Sequence, residues 1–252
     1  MDKERDPLPI MPITGLPAGV LPPDVLVCGD PGRAALIAAQ LTGRETISQQ
    51  REYHSYRGSF AGHPVGVCSH GIGAPGAAIA FEELIAAGAR RLLRVGTCGG
   101  IQPAVVDGHL VIASGAVQAT GYGWQVAPAG YPAIANLHLT HSLATAVTGH
   151  RPTHIGLVLS SDSFYPGVTT PSTPDYPAMA QANVLAVEME CAALFLVGSL
   201  RGVATGAVLA VDGNVLARRE SIEEYQPQRA IVGAAVTAAI ELALRTFAAT
   251  PL

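Results

Sequence analysis

The sequence predicts one α/β domain: a mostly parallel, twisted central sheet flanked by helices. Three observations carry that expectation. Short apolar runs of strand character alternate with segments of helical periodicity from Val25 to Phe247, and such repetition gives parallel sheets covered on both faces. Nearly every strand stops at a glycine followed or preceded by a polar residue. The chain has 252 residues, 49% hydrophobic and 13% charged, with 28 glycines and 19 prolines, which suits one large core with many tight turns. No repeat, low-complexity linker or composition break divides it, so residues 1–252 form one expected domain, with 1–20 as an extended N-terminal arm.

The elements follow in order. Val25 to Cys28 is a buried strand stopping at Gly29-Asp30-Pro31-Gly32, and Arg33 to Leu41 has helical periodicity. Pro64 to Ser69 is a strand ending in Gly71-Ile72-Gly73. Ala77 to Ala87 is a helix with Gly88 as its C-terminal stop. Leu92 to Val95 and His109 to Val117 are strands, the first running into Gly96-Thr97-Cys98-Gly99-Gly100. Asn136 to Val147 is helical, and Ile155 to Ser160 is a strand ending in Ser161-Asp162-Ser163-Phe164-Tyr165. Leu185 to Met189 is a strand, Cys191 to Leu200 a helix, Gly206 to Val211 a strand, and Arg229 to Phe247 a long closing helix.

Composition excludes several function classes. A net charge of −4 gives no basic field for nucleic acid and no polybasic membrane patch. No uninterrupted apolar run approaches the roughly 18 residues of a spanning helix, and residues 1–7 lack the apolar core of a signal peptide. Cys28, Cys68, Cys98 and Cys191 form no CxxC pair, so buried free thiols in a reducing cytoplasm are expected. His138 and His141 lie one helical turn apart with no third ligand nearby, which fits a surface face better than zinc. No metal site is expected.

The chemistry concentrates at two strand ends. Glu188 and Glu190 sit two residues apart amid apolar sequence, and Asp212 ends another apolar strand. Buried carboxylates are costly without partners, and ligands bind outside the carboxyl ends of strands in α/β sheets. The acids fit a site that reads hydroxyls and handles a proton. They fit equally the N-terminus of the following helix, where carboxylates are favoured. Glycine-rich strand ends expose N–H groups that hold anions. Arg33 and Arg94 lie close to two of them, and Arg51 sits in a polar stretch; arginine matches phosphate oxygens in pairs. Gly29-Asp30-Pro31-Gly32-Arg33 is neither a P-loop nor a dinucleotide fingerprint.

Taken together, Gly29 to Arg33, Ser69-His70-Gly71-Ile72-Gly73, Glu82-Glu83-Leu84, Arg94 to Gly99, Ser160 to Tyr165 and Val187 to Glu190 resemble, in order, the signatures of the nucleoside phosphorylase-I family. The resemblance covers about residues 25 to 215. It implies conversion of a nucleoside plus phosphate into free base plus pentose 1-phosphate. It also implies self-association into dimers and a hexamer. No cofactor is implied beyond phosphate as co-substrate, with a monovalent cation as an option. By position, Gly29, Arg33, Arg94 and Thr97 would bind phosphate, with Arg51 supplied by a neighbouring subunit. Glu190 would hold the ribose hydroxyls, with Met189 packed on the sugar and Glu188 beside it. Tyr165, Val187, Cys98, Gly99 and Asp212 would line the base, with Asp212 and Arg94 in the catalytic roles.

Two base preferences compete. Uridine-cleaving members carry Gln and Arg shortly after the Phe-Tyr-Pro-Gly turn, whereas here Val168, Thr169 and Thr170 follow it. Asp212 in Val-Asp-Gly resembles the purine members, so purine comes first and pyrimidine second. A hydrolytic nucleosidase would need no arginine clamp, and a non-catalytic binding protein no acid at 212. Met11 stands about where relatives have a histidine for the 5′-hydroxyl, leaving His54, His70 or a water to supply that bond. Arg218, Arg219 and Arg229 are candidates to assist Asp212.

Overall fold

The computed structural model describes residues 9–149, 151–165, 167–216, 225–226 and 228–250. The strands are β1 (Asp24–Cys28), β2 (Thr42–Gln50), β3 (Tyr53–Phe60), β4 (His63–Ser69), β5 (Arg91–Gly100), β6 (Leu110–Ala119), β7 (Ala133–Ile134), β8 (Thr153–Ser161), β9 (Ala186–Glu188) and β10 (Ala204–Asn214). The helices are α1 (Pro31–Ala38), α2 (Ala74–Ala86), α3 (Gly121–Val126), α4 (Leu137–Ala146), α5 (Tyr176–Gln181), α6 (Cys191–Arg201) and α7 (Ala230–Ala249). The fold is a single α/β domain on one ten-stranded sheet, as expected. Its centre, β4-β1-β5-β10, is parallel throughout. Antiparallel pairs extend it at β3 and β2 and join β10 to β6 and β5 to β9.

Two features of β5 position the site. First, β5 pairs with β10 along its whole length. Because β10 also pairs with β6, β6 with β8, β8 with β9, and β9 with β5, these five strands close into a ring. Second, the other edge of β5 is shared. β1 pairs with residues 91–94 and β9 with Gly99 and Gly100. Between them Val95 to Cys98 have no strand partner on that side. A sheet that divides in this way leaves a crevice at the carboxyl ends of its strands, the usual place for a ligand in α/β folds.

Apolar burial holds this frame. One core cluster, around Phe81, Leu92, Phe195 and Leu209, packs α2 and α6 on one face; another, around Ile37, Leu93, Leu143 and Phe247, packs α1, α4 and α7 on the other. The 20-residue α7 is apolar enough by length and composition to cross a membrane, which the sequence scan did not anticipate. Half of it is buried within the fold, through Val232, Ala235, Ala239, Ile240, Ala243 and Phe247. Its pattern is that of a core helix. The four cysteines are buried and free, as expected, and His138 and His141 are exposed.

The expected elements are present, most one to three residues longer or shifted. The hairpin β2–β3 was not expected. Its outer strand, Thr-Gly-Arg-Glu-Thr-Ile-Ser-Gln-Gln, is exposed along most of its length and so lacks the alternation that marks a half-buried strand. Helices α3 and α5, six residues each, are too short for periodicity to show. Trp124 lies on α3 and is exposed.

The described part of the N-terminal segment, residues 9–20, is not an extended arm. Ile10 bridges Pro17, and Met11 N–H donates to the Leu16 carbonyl at 2.8 Å. The cause is Glu83 on α2, whose carboxylate accepts from the Ile13 and Thr14 amides and from the Thr14 hydroxyl at 2.7 Å. Met11 packs, half-buried, against the same chain's core.

Candidate functional site

Arg94 is the hub of the crevice. It lies on β5 at the last position paired with β1, and its side chain is almost wholly buried. Nη2 donates to Glu190 Oε2 at 2.5 Å and lies 3.5 Å from Glu188 Oε2. Nη1 meets His70 Nε2 at 3.0 Å. Nε is buried with no hydrogen-bond partner. Burial opposes the charge, but the Glu190 and Glu188 carboxylates outweigh it and hold the Arg94 pKa above its ordinary value. Gly96 makes the arrangement possible: a Cβ there would stand 2.8 Å from the guanidinium carbon.

The two glutamates divide the roles that their spacing left open. Glu188 caps α6. Its Oε2 accepts from the Glu190 and Cys191 amides at 2.8 and 2.9 Å, and its Oε1 accepts from the Ser160 hydroxyl. Ser160, opposite Glu188 in the β8–β9 register, also accepts from the Ala192 amide at 2.9 Å. The oxygens of Glu188 are thus engaged by the start of α6 and by Ser160. Glu190 faces Arg94, and its Oε1 accepts from the Gly73 amide at 2.6 Å, bringing in the loop that starts α2. Burial lifts the Glu190 carboxyl above its usual range against the pull of Arg94. Met189, between them, is half-buried.

Arg33 joins from the first turn of α1. Asp30 caps that helix by accepting from the Gly32 and Arg33 amides. The Arg33 side chain crosses the crevice to the Val95 carbonyl at 3.3 Å, on the open edge of β5. Burial lowers its pKa, and Arg94 contributes to the lowering, so the two cations share one electrostatic environment. Gly29 lines the same crevice: Gly71 N–H donates to its carbonyl at 3.0 Å. Arg51 is not brought to the cluster. It stands exposed at the tip of the β2–β3 hairpin, with a left-handed φ of 53°.

Asp212 marks the other end. The β10–β5 register slips between Val211 and Gly213, so Asp212 is the extra residue of a bulge, a device that re-aims a side chain. The Tyr225 hydroxyl donates to its Oδ2 at 2.9 Å and the Thr97 hydroxyl also donates to it. Thr97, expected at phosphate, thus contacts the acid. Burial raises the Asp212 pKa to about 6, with those two donors pulling the other way. Arg229 does not touch the Asp212 carboxylate: it pairs with Asp107 at 2.5 Å and donates to the Asp212 backbone carbonyl. Arg218 and Arg219 lie outside the described residues.

An aromatic wall leads away from the acid. Phe164 stands edge-on to Tyr225 and to Tyr165, with ring centroids 5.5 and 5.1 Å apart. Tyr165 is 58% exposed. Val187 packs with Val215 and Leu159 in a small apolar cluster, and Gly99 lies between the two valines. Cys98 is buried beside Asp212, and burial, then the acid's charge, holds its thiol protonated.

His70, Gly73, Ser160 and Tyr225 were not assigned these contacts from sequence. His70 was considered only for a 5′-hydroxyl, and its ring is instead engaged by Arg94 and the Gly71 carbonyl. Its place in a strand-end glycine loop was the available signal. Among the described residues no group of three or more His, Cys, Asp or Glu is arranged to hold a metal.

Known proteins share this fold and much of this sequence. Residues 23–247 match the Phosphorylase superfamily. The chain is 40% identical to the uridine phosphorylase of Treponema pallidum over 221 residues, 84% of this chain and 85% of that one. It is 37% identical to the guanosine phosphorylase of Halorubrum lacusprofundi over 193 residues, 76% and 78% of the two chains. The crystal structure of uridine phosphorylase from Vibrio fischeri superposes with a TM-score of 0.87 at 29% identity, covering 96% of this chain and 98% of that one. With sequence profile, relatives and fold in accord, this chain belongs to the phosphorylase superfamily.

Proposed function

We propose that the protein cleaves purine ribonucleosides by phosphorolysis, releasing the free base and ribose 1-phosphate. One observation carries the phosphate half: two arginines, Arg33 and Arg94, converge at the open edge of β5, and Arg94 Nε is a buried donor with no acceptor. An unsatisfied buried donor is costly, and a phosphate oxygen satisfies it. Relatives named for nucleosides support the sugar and base half. In the reaction a phosphate oxygen bonds C1′ as the C1′–N9 bond breaks. The electron pair leaves with the purine, which takes a proton at N7 from Asp212. With its pKa near 6, about a tenth of Asp212 is protonated at pH 7, a fraction suited to general acid work. Glu190 takes the ribose hydroxyls. Arg51, exposed on its hairpin, completes the phosphate site of a second copy in a dimer or larger assembly.

A uridine preference is the second reading, because a 40% identical relative carries that name. One experiment separates them: inosine, guanosine and uridine are incubated with and without phosphate, and ribose 1-phosphate is measured. Inosine or guanosine turnover that requires phosphate supports the proposal. A preference for uridine overturns the purine assignment, and phosphate-independent cleavage overturns phosphorolysis.

A further inference from the structure

We propose that His70 is a positioning residue for phosphate: by accepting from Arg94 Nη1 it fixes the guanidinium in the orientation that receives the attacking anion. The inference rests on the reading above that Arg94 binds phosphate.

His70 follows β4, on the floor of the crevice. Its amide donates to the Cys28 carbonyl at 2.8 Å, and a Cβ on Gly29 would approach its Cε1 to 3.9 Å. The ring is fully buried and meets Phe81 edge-on, with centroids 5.3 Å apart. Nδ1 lies 2.9 Å from the Gly71 carbonyl and Nε2 lies 3.0 Å from Arg94 Nη1. A carbonyl only accepts and a guanidinium only donates. The proton is therefore on Nδ1 and the lone pair on Nε2. Burial first, and the Arg94 charge second, hold the imidazole neutral, so the acceptor stays available.

The contact matters because Glu190 has two tasks. It accepts from Arg94 Nη2. Once it turns to the ribose hydroxyls it holds Arg94 less firmly. His70 belongs to a different element and makes no demand on the sugar. With Glu188 3.5 Å from Nη2, His70 remains as the close partner at Nη1, keeping the guanidinium plane from rotating when phosphate arrives. A buried histidine that merely filled space would affect folding and both substrates alike.

The test uses substitutions that differ in reach. A glutamine at 70 brings an amide oxygen about as far as Nε2, whereas an asparagine reaches only as far as Nδ1. His70→Asn and His70→Leu are expected to raise KM for phosphate about 10- to 100-fold, the range of a hydrogen bond to a charged group. KM for the nucleoside should change by less than about threefold, and His70→Gln should recover most of the loss. Equal rises for both substrates, no rise, or glutamine no better than asparagine would overturn the proposal. A measurement on the unsubstituted protein covers variants that fail to fold: ¹⁵N NMR should find His70 as the Nδ1–H tautomer, with an Nε2 signal that moves when inorganic phosphate is added. An Nε2–H tautomer, or a signal indifferent to phosphate, would also overturn it. Arg94→Lys is the control for the underlying reading. If it leaves phosphate KM unchanged, Arg94 does not bind phosphate. If it raises that KM while the His70 variants do not, only the role of His70 fails.

Discussion

The two ends of the crevice are built differently. At the Arg94 end Arg94, Glu188, Glu190 and His70 are buried, and each is tied to another group of the site or to a helix start: Arg94 to Glu190 and His70, Glu190 to Gly73, Glu188 to the start of α6. At the Asp212 end the acid stands on a bulge and the wall beside it is made of Phe164, Tyr165 and Tyr225, with Phe164 and Tyr165 more than half exposed. The first end is preorganised and, in the function proposed above, takes the parts every nucleoside shares. The second depends on loops, where function varies most readily on a fixed scaffold. Relatives of this chain carry the names of both uridine and guanosine phosphorylases, the variation the proposed division between a shared end and a selective end predicts.

Perturbing each end in turn tests this contrast. Arg94→Ala should give the largest effect, about 10³-fold or more in kcat/KM, because a transition-state counter-charge is lost and Glu190 is left buried without its cation. The loss should be similar for inosine and uridine. A loss confined to one nucleoside would erase the distinction between a shared end and a selective one. Asp212→Asn should be selective, costing about 10²-fold or more with inosine and far less with a nucleoside whose leaving group needs no proton. Comparable losses on both would remove Asp212 as general acid.

Smaller effects sharpen the picture. Glu190→Gln should weaken acceptance from the 2′-hydroxyl, so ribonucleosides should lose about 10-fold more than 2′-deoxyribonucleosides; equal losses would show that Glu190 does not read that hydroxyl. Tyr225→Phe should have the least effect on rate and show in the pH profile. The Tyr225 hydroxyl stabilises the carboxylate form of Asp212, so its removal raises the Asp212 pKa further. The protonated acid is the active form, and activity falls as pH rises through that pKa. The fall should move to higher pH by about one unit or less. A shift to lower pH would mean that the carboxylate is the active form.

The same division decides what the sequence disclosed. The Arg94 end was visible because apolar sequence breaks there at glycine, an abrupt change of chemistry, although β5 itself runs on through those glycines to Gly100. Glu188 and Glu190 were found together but could not be told apart, since a helix cap and a ligand-binding acid have the same side chain. What separates them is tertiary: Ser160 across the β8–β9 register for Glu188, and Arg94 and Gly73 for Glu190. The Arg94–His70 contact joins residues 24 apart in sequence and has no local signature. Nothing in Val-Asp-Gly announces the bulge that aims Asp212, because a bulge is a property of two strands. The β2–β3 hairpin went unseen for the opposite reason: it is so exposed that its sequence looks like a loop.

Closing β5, β10, β6, β8 and β9 into a ring has a consequence for the protein among its neighbours in solution. A nine-strand path would ordinarily end in two free edges, each a template on which another chain could add a strand. Here one end of the path is spent in joining β10 back to β5. Among the described strands, the outer edge of β2 and the two-residue β7 remain at the margins of the sheet, and the unpaired stretch Val95 to Cys98 lies inside the crevice. The exposed sequence of β2, with Arg44, Glu45, Gln49 and Gln50, carries the charges and amides that make edge-to-edge stacking unfavourable. Two of the strands the ring seals, β5 and β10, are buried along most of their length. Amide hydrogen exchange should therefore be fast in β2 and slowest in β5 and β10, which give up their hydrogen bonds only when the ring opens.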